Sequence, residues 1–235
     1  MSDTTLTQAP SPAPSATPTK RSVMIYSRYE RFWHWSQAIL IFVLTISGFG
    51  LHGTHGLFDF ATAVDIHTTA ALALIALWIL TTFWHFTTGQ WRQYLPNLSG
   101  LPAVIRFYAW GILTGAPHPY HKTLRRKQNA LQSLAYLSFM VIIGPALWSS
   151  GIVYLTYPWW APHAIGTIGL PVVAFIHTAA AFLMITFVVI HIYMTTTGKT
   201  VGHYVKTMIT GYDHIEVSAA EDAYLRESQP GVIQD

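Results

Sequence analysis

His177 and His191 lie 14 residues apart in the last long apolar run of the chain. Fourteen helical residues make almost four turns and rise about 21 Å, so both imidazoles leave one helix face at two depths. Neutral imidazole is a good ligand for low-spin haem iron, and two such rings on one helix need two further rings to complete two bis-imidazole sites. Earlier apolar runs supply His34 and His67, one near each end of a span. Measured from the span centres at about 1.5 Å per residue, His67 and His177 lie about 10 Å toward one face, and His34 and His191 more than about 10 Å toward the other. The depths therefore predict the pairs His67 with His177 and His34 with His191, holding two haems stacked across a bilayer.

An unsatisfied imidazole in hydrocarbon is costly, so each intramembrane histidine is a functional candidate. His85 competes with His34 for the inner site. It follows His67 by 18 residues on the same helical face, with a rise of about 27 Å against the 21 Å of the last helix. His52 and His55 sit at the first outer turn, and His118, His121, His163, His203 and His214 fall in loops or tails, where surface or partner-facing roles are expected.

The elements that position these rings are set by composition. Only 10% of residues are charged and the mean hydropathy is +0.35, far from the roughly 25% charged composition of a soluble domain. With no cysteine, the chain holds no disulfide, no thiolate-ligated iron–sulfur cluster and no covalently attached haem. Any haem is b-type. Four runs, roughly 32–51, 62–86, 130–155 and 169–195, are long and apolar enough to cross a hydrocarbon core of about 30 Å. The fold class expected is all-α, an integral membrane four-helix bundle with cytoplasmic termini and short interfacial helices. Pro145 should kink the third span rather than end it.

Residues 1–21, rich in Ser, Thr, Pro and Ala, read as a disordered cytoplasmic tail, and residues 213–235 as a solvated cytoplasmic tail; neither a cleavable signal pattern nor a core is present in the first stretch. The stretch Trp91–Leu113, with Pro96 and Pro102, suggests one or two short amphipathic helices at the membrane surface.

Of the 13 Lys and Arg, four precede the first span, six lie between the second and third, and three follow the fourth. The two remaining loops have none. The positive-inside rule then places both termini and the 87–129 connection in the cytoplasm, and the basic charge reports topology rather than nucleic acid.

The motif Tyr29-Glu30-Arg31-Phe32-Trp33-His34-Trp35, the outer His67, the stretch Lys127-Gln128-Asn129-Ala130-Leu131-Gln132, and His177 with His191-Ile192-Tyr193-Met194 resemble the di-haem cytochrome b subunit family of respiratory formate dehydrogenases, nickel–iron hydrogenases and thiosulfate reductases. The resemblance covers roughly residues 21–212. It implies His34 and His191 as inner-haem ligands, His67 and His177 as outer-haem ligands, and Asn129 and Gln132 beside a quinone site near the inner haem; quinone placed there would also have Tyr193 within reach as a hydrogen-bonding group. The plainer alternative for Asn129 is a helix cap, where Asn is favoured, but the quinone role is the leading expectation. Thr68 and Thr178 are candidate partners for the rings, Arg28 and Arg31 for haem propionates, and Gly48 and Gly50 for close approach of the porphyrin. The implied cofactors are two haem b, with quinone as substrate. The implied partners are a periplasmic iron–sulfur subunit and a catalytic metalloenzyme subunit, in a bacterial inner membrane. The competing readings are a histidine-bearing metal or proton transporter, which would usually place acidic residues in its spans where this chain has only Asp65, and a haem-free membrane anchor.

Overall fold

A computed structural model describes residues 19–96, 98–117, 119–120, 127–163, 165–198, 200–229 and 231–234. In chain order its elements are β1 (Thr19–Met24), α1 (Arg28–Leu51), α2 (Phe60–Thr88), α3 (Leu101–Arg106), α4 (Ala130–Leu155), α5 (Tyr157–Trp160), α6 (Ile165–Thr195), α7 (His203–Thr210), β2 (Tyr212–Val217), α8 (Ala219–Ser228) and β3 (Ile233–Gln234). Among the described residues, α1, α2, α4 and the Gly169–Thr195 part of α6 are long and apolar enough to span a membrane. The chain divides into two units, residues 25–211 and the two terminal segments together.

The spans begin where local chemistry dictates. Ser27 caps α1 by accepting from the Glu30 amide at 3.2 Å while Glu30 Oε2 accepts from the Ser27 amide at 2.7 Å, a reciprocal capping box. Asp59 caps α2 through the Thr62 amide, and the Thr62 hydroxyl and amide together hold its carboxyl below the usual range. Gly89 ends α2 at φ 74°, the left-handed conformation in which glycine has no steric penalty.

Inside α4, Pro145 has no amide to donate, and a π-helical turn over Phe139–Ile143 immediately precedes it. The helix continues through both. Gly144 is required there, because a Cβ would run into the Trp78 ring of α2.

Large apolar side chains such as Phe42, Leu80, Phe83, Phe175 and Val189 point outward, whereas the interior holds Ala63, Ala70, Ala180 and the small polar Ser47, Thr81, Ser133 and Ser150. This is the pattern of helices packed through small residues with lipid as solvent. Of the expected surface helices, Gln90–Tyr94 is a 3-10 turn, and Leu101–Arg106 runs on into a π turn over Phe107–Gly111. Pro102 opens α3 rather than breaking it, since a first-turn amide has no intrahelical partner to lose.

The terminal unit differs from two unstructured tails. Residues 1–18 lie outside the described residues, but Thr19–Arg21 belong to β1, the central strand of an antiparallel sheet ordered β2-β1-β3. Asp213, Ile215 and Val217 alternate inward along β2, and Val23 and Leu225 are buried with them. Arg21 Nε donates to Asp222 at 3.0 Å, across 201 residues of sequence.

Candidate functional site

The termini of the unit formed by residues 25–211 lie at one end of the bundle, called here the near end; the turns at 52–59 and 156–164 lie at the far end. At the far end the rings of His67 (α2) and His177 (α6) have centroids 6.3 Å apart, inclined at 68°. At the near end the rings of His34 (α1) and His191 (α6) are 6.1 Å apart, inclined at 50°. With metal–nitrogen bonds of about 2 Å, and each ring centre about 1.1 Å behind its ligating nitrogen, two imidazoles on opposite sides of one iron have centres about 6 Å apart. Both pairs have that spacing. No third His, Cys, Asp or Glu joins either pair among the described residues. Two protein ligands leave a bare cation under-coordinated but suit iron that already carries the four nitrogens of a porphyrin.

At the far pair the tautomers are fixed by two serines. Ser47 Oγ of α1 donates to the Val43 carbonyl at 2.8 Å, which spends its only proton, so its lone pairs face His67 Nδ1 at 3.0 Å. Ser150 Oγ of α4 donates to backbone carbonyls of Ala146 and Leu147 and meets His177 Nδ1 at 2.9 Å. Each imidazole therefore donates through Nδ1–H and keeps the Nε2 lone pair for a metal. The residue after each serine is glycine, and a Cβ on Gly48 or Gly151 would stand 3.4 Å from Cε1 of the adjacent ring. Thus α1, α2, α4 and α6 all contribute to the far site. Thr68 and Thr178 make no hydrogen bond to the rings among the described residues; Ser47 and Ser150 hold that position. Gly50 instead makes room for His55, whose Nε2 lies 2.8 Å from the Ile46 carbonyl.

The near pair is built differently. His191 stacks on Phe187, with 9° between the planes, and its Nδ1 lies 3.5 Å from the Tyr136 hydroxyl, a long contact. Among the described residues, His34 Nδ1, Arg31 Nε and Trp33 Nε1 are buried without a protein partner, although Arg31 Nη1 donates to the Ile209 carbonyl. A haem propionate is an acceptor that Arg31 Nε and Trp33 Nε1 would suit. His85 stands apart from both pairs: Trp33, Trp84 and Tyr94 pack edge-on around it, and its Nδ1 lies 2.7 Å from the Thr81 carbonyl. Burial, and then the Glu30 charge, push the Tyr94 phenol up, so it stays protonated.

Asn129 and Gln132 are brought together as a helix cap. Asn129 Oδ1 accepts from the Gln132 amide at 2.8 Å, Gln132 Oε1 accepts from the Asn129 amide at 3.1 Å, and Asn129 Nδ2 donates to the Tyr108 hydroxyl at 3.1 Å. Tyr193, 54% exposed on the outer face of α6, is joined to neither by a hydrogen bond among the described residues. Beside the cap, a polar cavity of about 280 Å³ is lined by Arg92, Gln93, Tyr120, Lys127, Gln128 and Ser133. Lys127 also forms a largely buried ion pair with Glu30 at 2.6 Å. Of the loop histidines, His118 and His121 lie outside the described residues.

Four apolar spans with intramembrane imidazole pairs at iron spacing define a membrane cytochrome of b type. Residues 25–211 match the family described as prokaryotic cytochrome b561, and the chain belongs to that family of haem b electron-transfer proteins. It is 31% identical over 207 residues to a protein of Escherichia coli (strain K12) named "Putative cytochrome YdhU", covering 84% of this chain and 77% of that one. No solved structure matches it at a significant level.

Proposed function

We propose that the chain is the membrane subunit of a respiratory oxidoreductase complex, holding two haem b and carrying electrons between a periplasmic redox partner and quinone near the cytoplasmic face. The observation that supports it is the pair of facing imidazoles at each end of α6, both at the separation one iron requires. Bound there, haem b supplies a one-electron site at each depth. His67 and His177 would hold the outer group and His34 and His191 the inner one, while the serine-fixed tautomers keep Nε2 available at the outer site. Arg31 Nε would take a propionate. The Lys and Arg bias supports a cytoplasmic near end, so quinone would sit beside the inner site, where the Gln132 side chain and Tyr193 would supply hydrogen bonds and the polar cavity near the α4 cap would admit water for proton exchange. Asn129 positions that start of α4 through its cap. A periplasmic iron–sulfur subunit and a catalytic metalloenzyme subunit complete the complex, since this chain has no cysteine for clusters of its own.

The test is the visible spectrum and haem stoichiometry of the purified protein. Two b-type, low-spin haems per chain are expected, His67→Ala or His177→Ala losing one and His191→Ala losing the other. A protein free of haem absorption would be a transporter or a plain anchor, and this reading would fall.

A further inference from the structure

Two serines on different spans do the same thing to two different histidines. Ser47 on α1 and Ser150 on α4 each sit one residue before a glycine that lets the ring close in, each donate to the backbone carbonyl of residue i−4, and each meet a far-end Nδ1 at 3.0 and 2.9 Å. Both are buried. Among the described residues the near pair has no counterpart: His34 Nδ1 is unpartnered and His191 Nδ1 has only the 3.5 Å contact to Tyr136. A hydroxyl whose proton is committed to a carbonyl can only accept from the ring, and an imidazole that donates through Nδ1–H becomes a more basic ligand through Nε2. A more basic ligand stabilises ferric over ferrous iron.

We propose that Ser47 and Ser150 are a matched set of positioning residues that hold the rings of His67 and His177 in one tautomer and, with haem bound between them, lower the outer haem's reduction potential, leaving the inner haem untouched. The proposal rests on the two-haem reading. Ser→Ala deletes only the hydroxyl and improves helix propensity, so each variant should fold. The loss of one hydrogen bond should favour the reduced outer haem roughly threefold, an upward shift of about 28 mV for a one-electron couple at 59 mV per tenfold.

The experiment is a potentiometric titration of the full haem-loaded chain in detergent, followed by the visible bands and by low-temperature electron paramagnetic resonance. Ser47→Ala and Ser150→Ala should each raise the outer potential and move its low-spin signal, the double variant should do more, and Ser→Thr should restore both. Loss of the outer haem in an alanine variant supports the proposal only when threonine restores haem and potential together; otherwise it overturns it. Full haem occupancy with unchanged potentials, or equal shifts in both haems, also overturns it while the two-haem reading stands. A wild-type chain without haem removes both.

Discussion

His34 and His85 are both half-buried near the same end of the bundle, yet their surroundings differ in kind. His34 faces another imidazole at 6.1 Å, and among the described residues its Nδ1 has no protein acceptor; His85 is enclosed by three aromatic rings and tied to the Thr81 carbonyl. Among the described residues no second imidazole faces His85, and its aromatic surroundings suit packing rather than a ligand's place. His34→Ala is therefore expected to lose the inner haem and keep the outer one, whereas His85→Phe keeps both, as read from haem content and the split of the reduced bands. Retention of both haems in His34→Ala would reassign the first helix.

Helix starts organise the near end. Asn129 is 2% exposed and every polar atom of its side chain is engaged, so its truncation must disturb the α4 cap before it disturbs any ligand. Asn129→Ala should cost about 1 kcal/mol of stability. Asn129→Ser keeps the cap but loses the donor to Tyr108, which separates the roles. Asn129→Ala with Gln132→Ala is expected to slow quinone turnover with both haems present, and Gln132→Ala alone to account for most of the loss. Normal quinone kinetics in the double variant would move the site elsewhere. Farther along α4, Gly144→Ala would drive a methyl into Trp78, whose Nε1 donates to Gln37 at 3.0 Å. Overpacking of this kind costs about 1–3 kcal/mol, and thermal unfolding in detergent should register it.

The whole molecule is polarised by charge, and the absence of native cysteine makes the polarity directly readable. Gly56 has open space beyond its Cα, and Leu98 is 57% exposed. In spheroplasts, a membrane-impermeant maleimide is expected to label a chain carrying Gly56→Cys and to spare one carrying Leu98→Cys until the membrane is opened. The opposite pattern would invert the orientation and place the serine-lined site toward the cytoplasm.

The amino-acid sequence by itself determined the four spans, the lopsided placement of Lys and Arg, and the 14-residue interval that sets His177 and His191 on one face, because run length, charge and helical period are local properties. A cap at Asn129 is the lesser of two readings of the sequence, and the reciprocal bonds with Gln132 emerge only from the structure. Depth along the spans already predicts the pairs His67 with His177 and His34 with His191; the tertiary structure decided that α1 and α2 rotate about their axes so that those rings close to 6.3 and 6.1 Å against α6. It alone exposed Ser47 and Ser150, whose hydroxyls lie 20 and 27 residues from the histidines they meet. The same holds for β1 and β2, strands at opposite ends of the chain that look like polar tails until each supplies the other's hydrogen bonds.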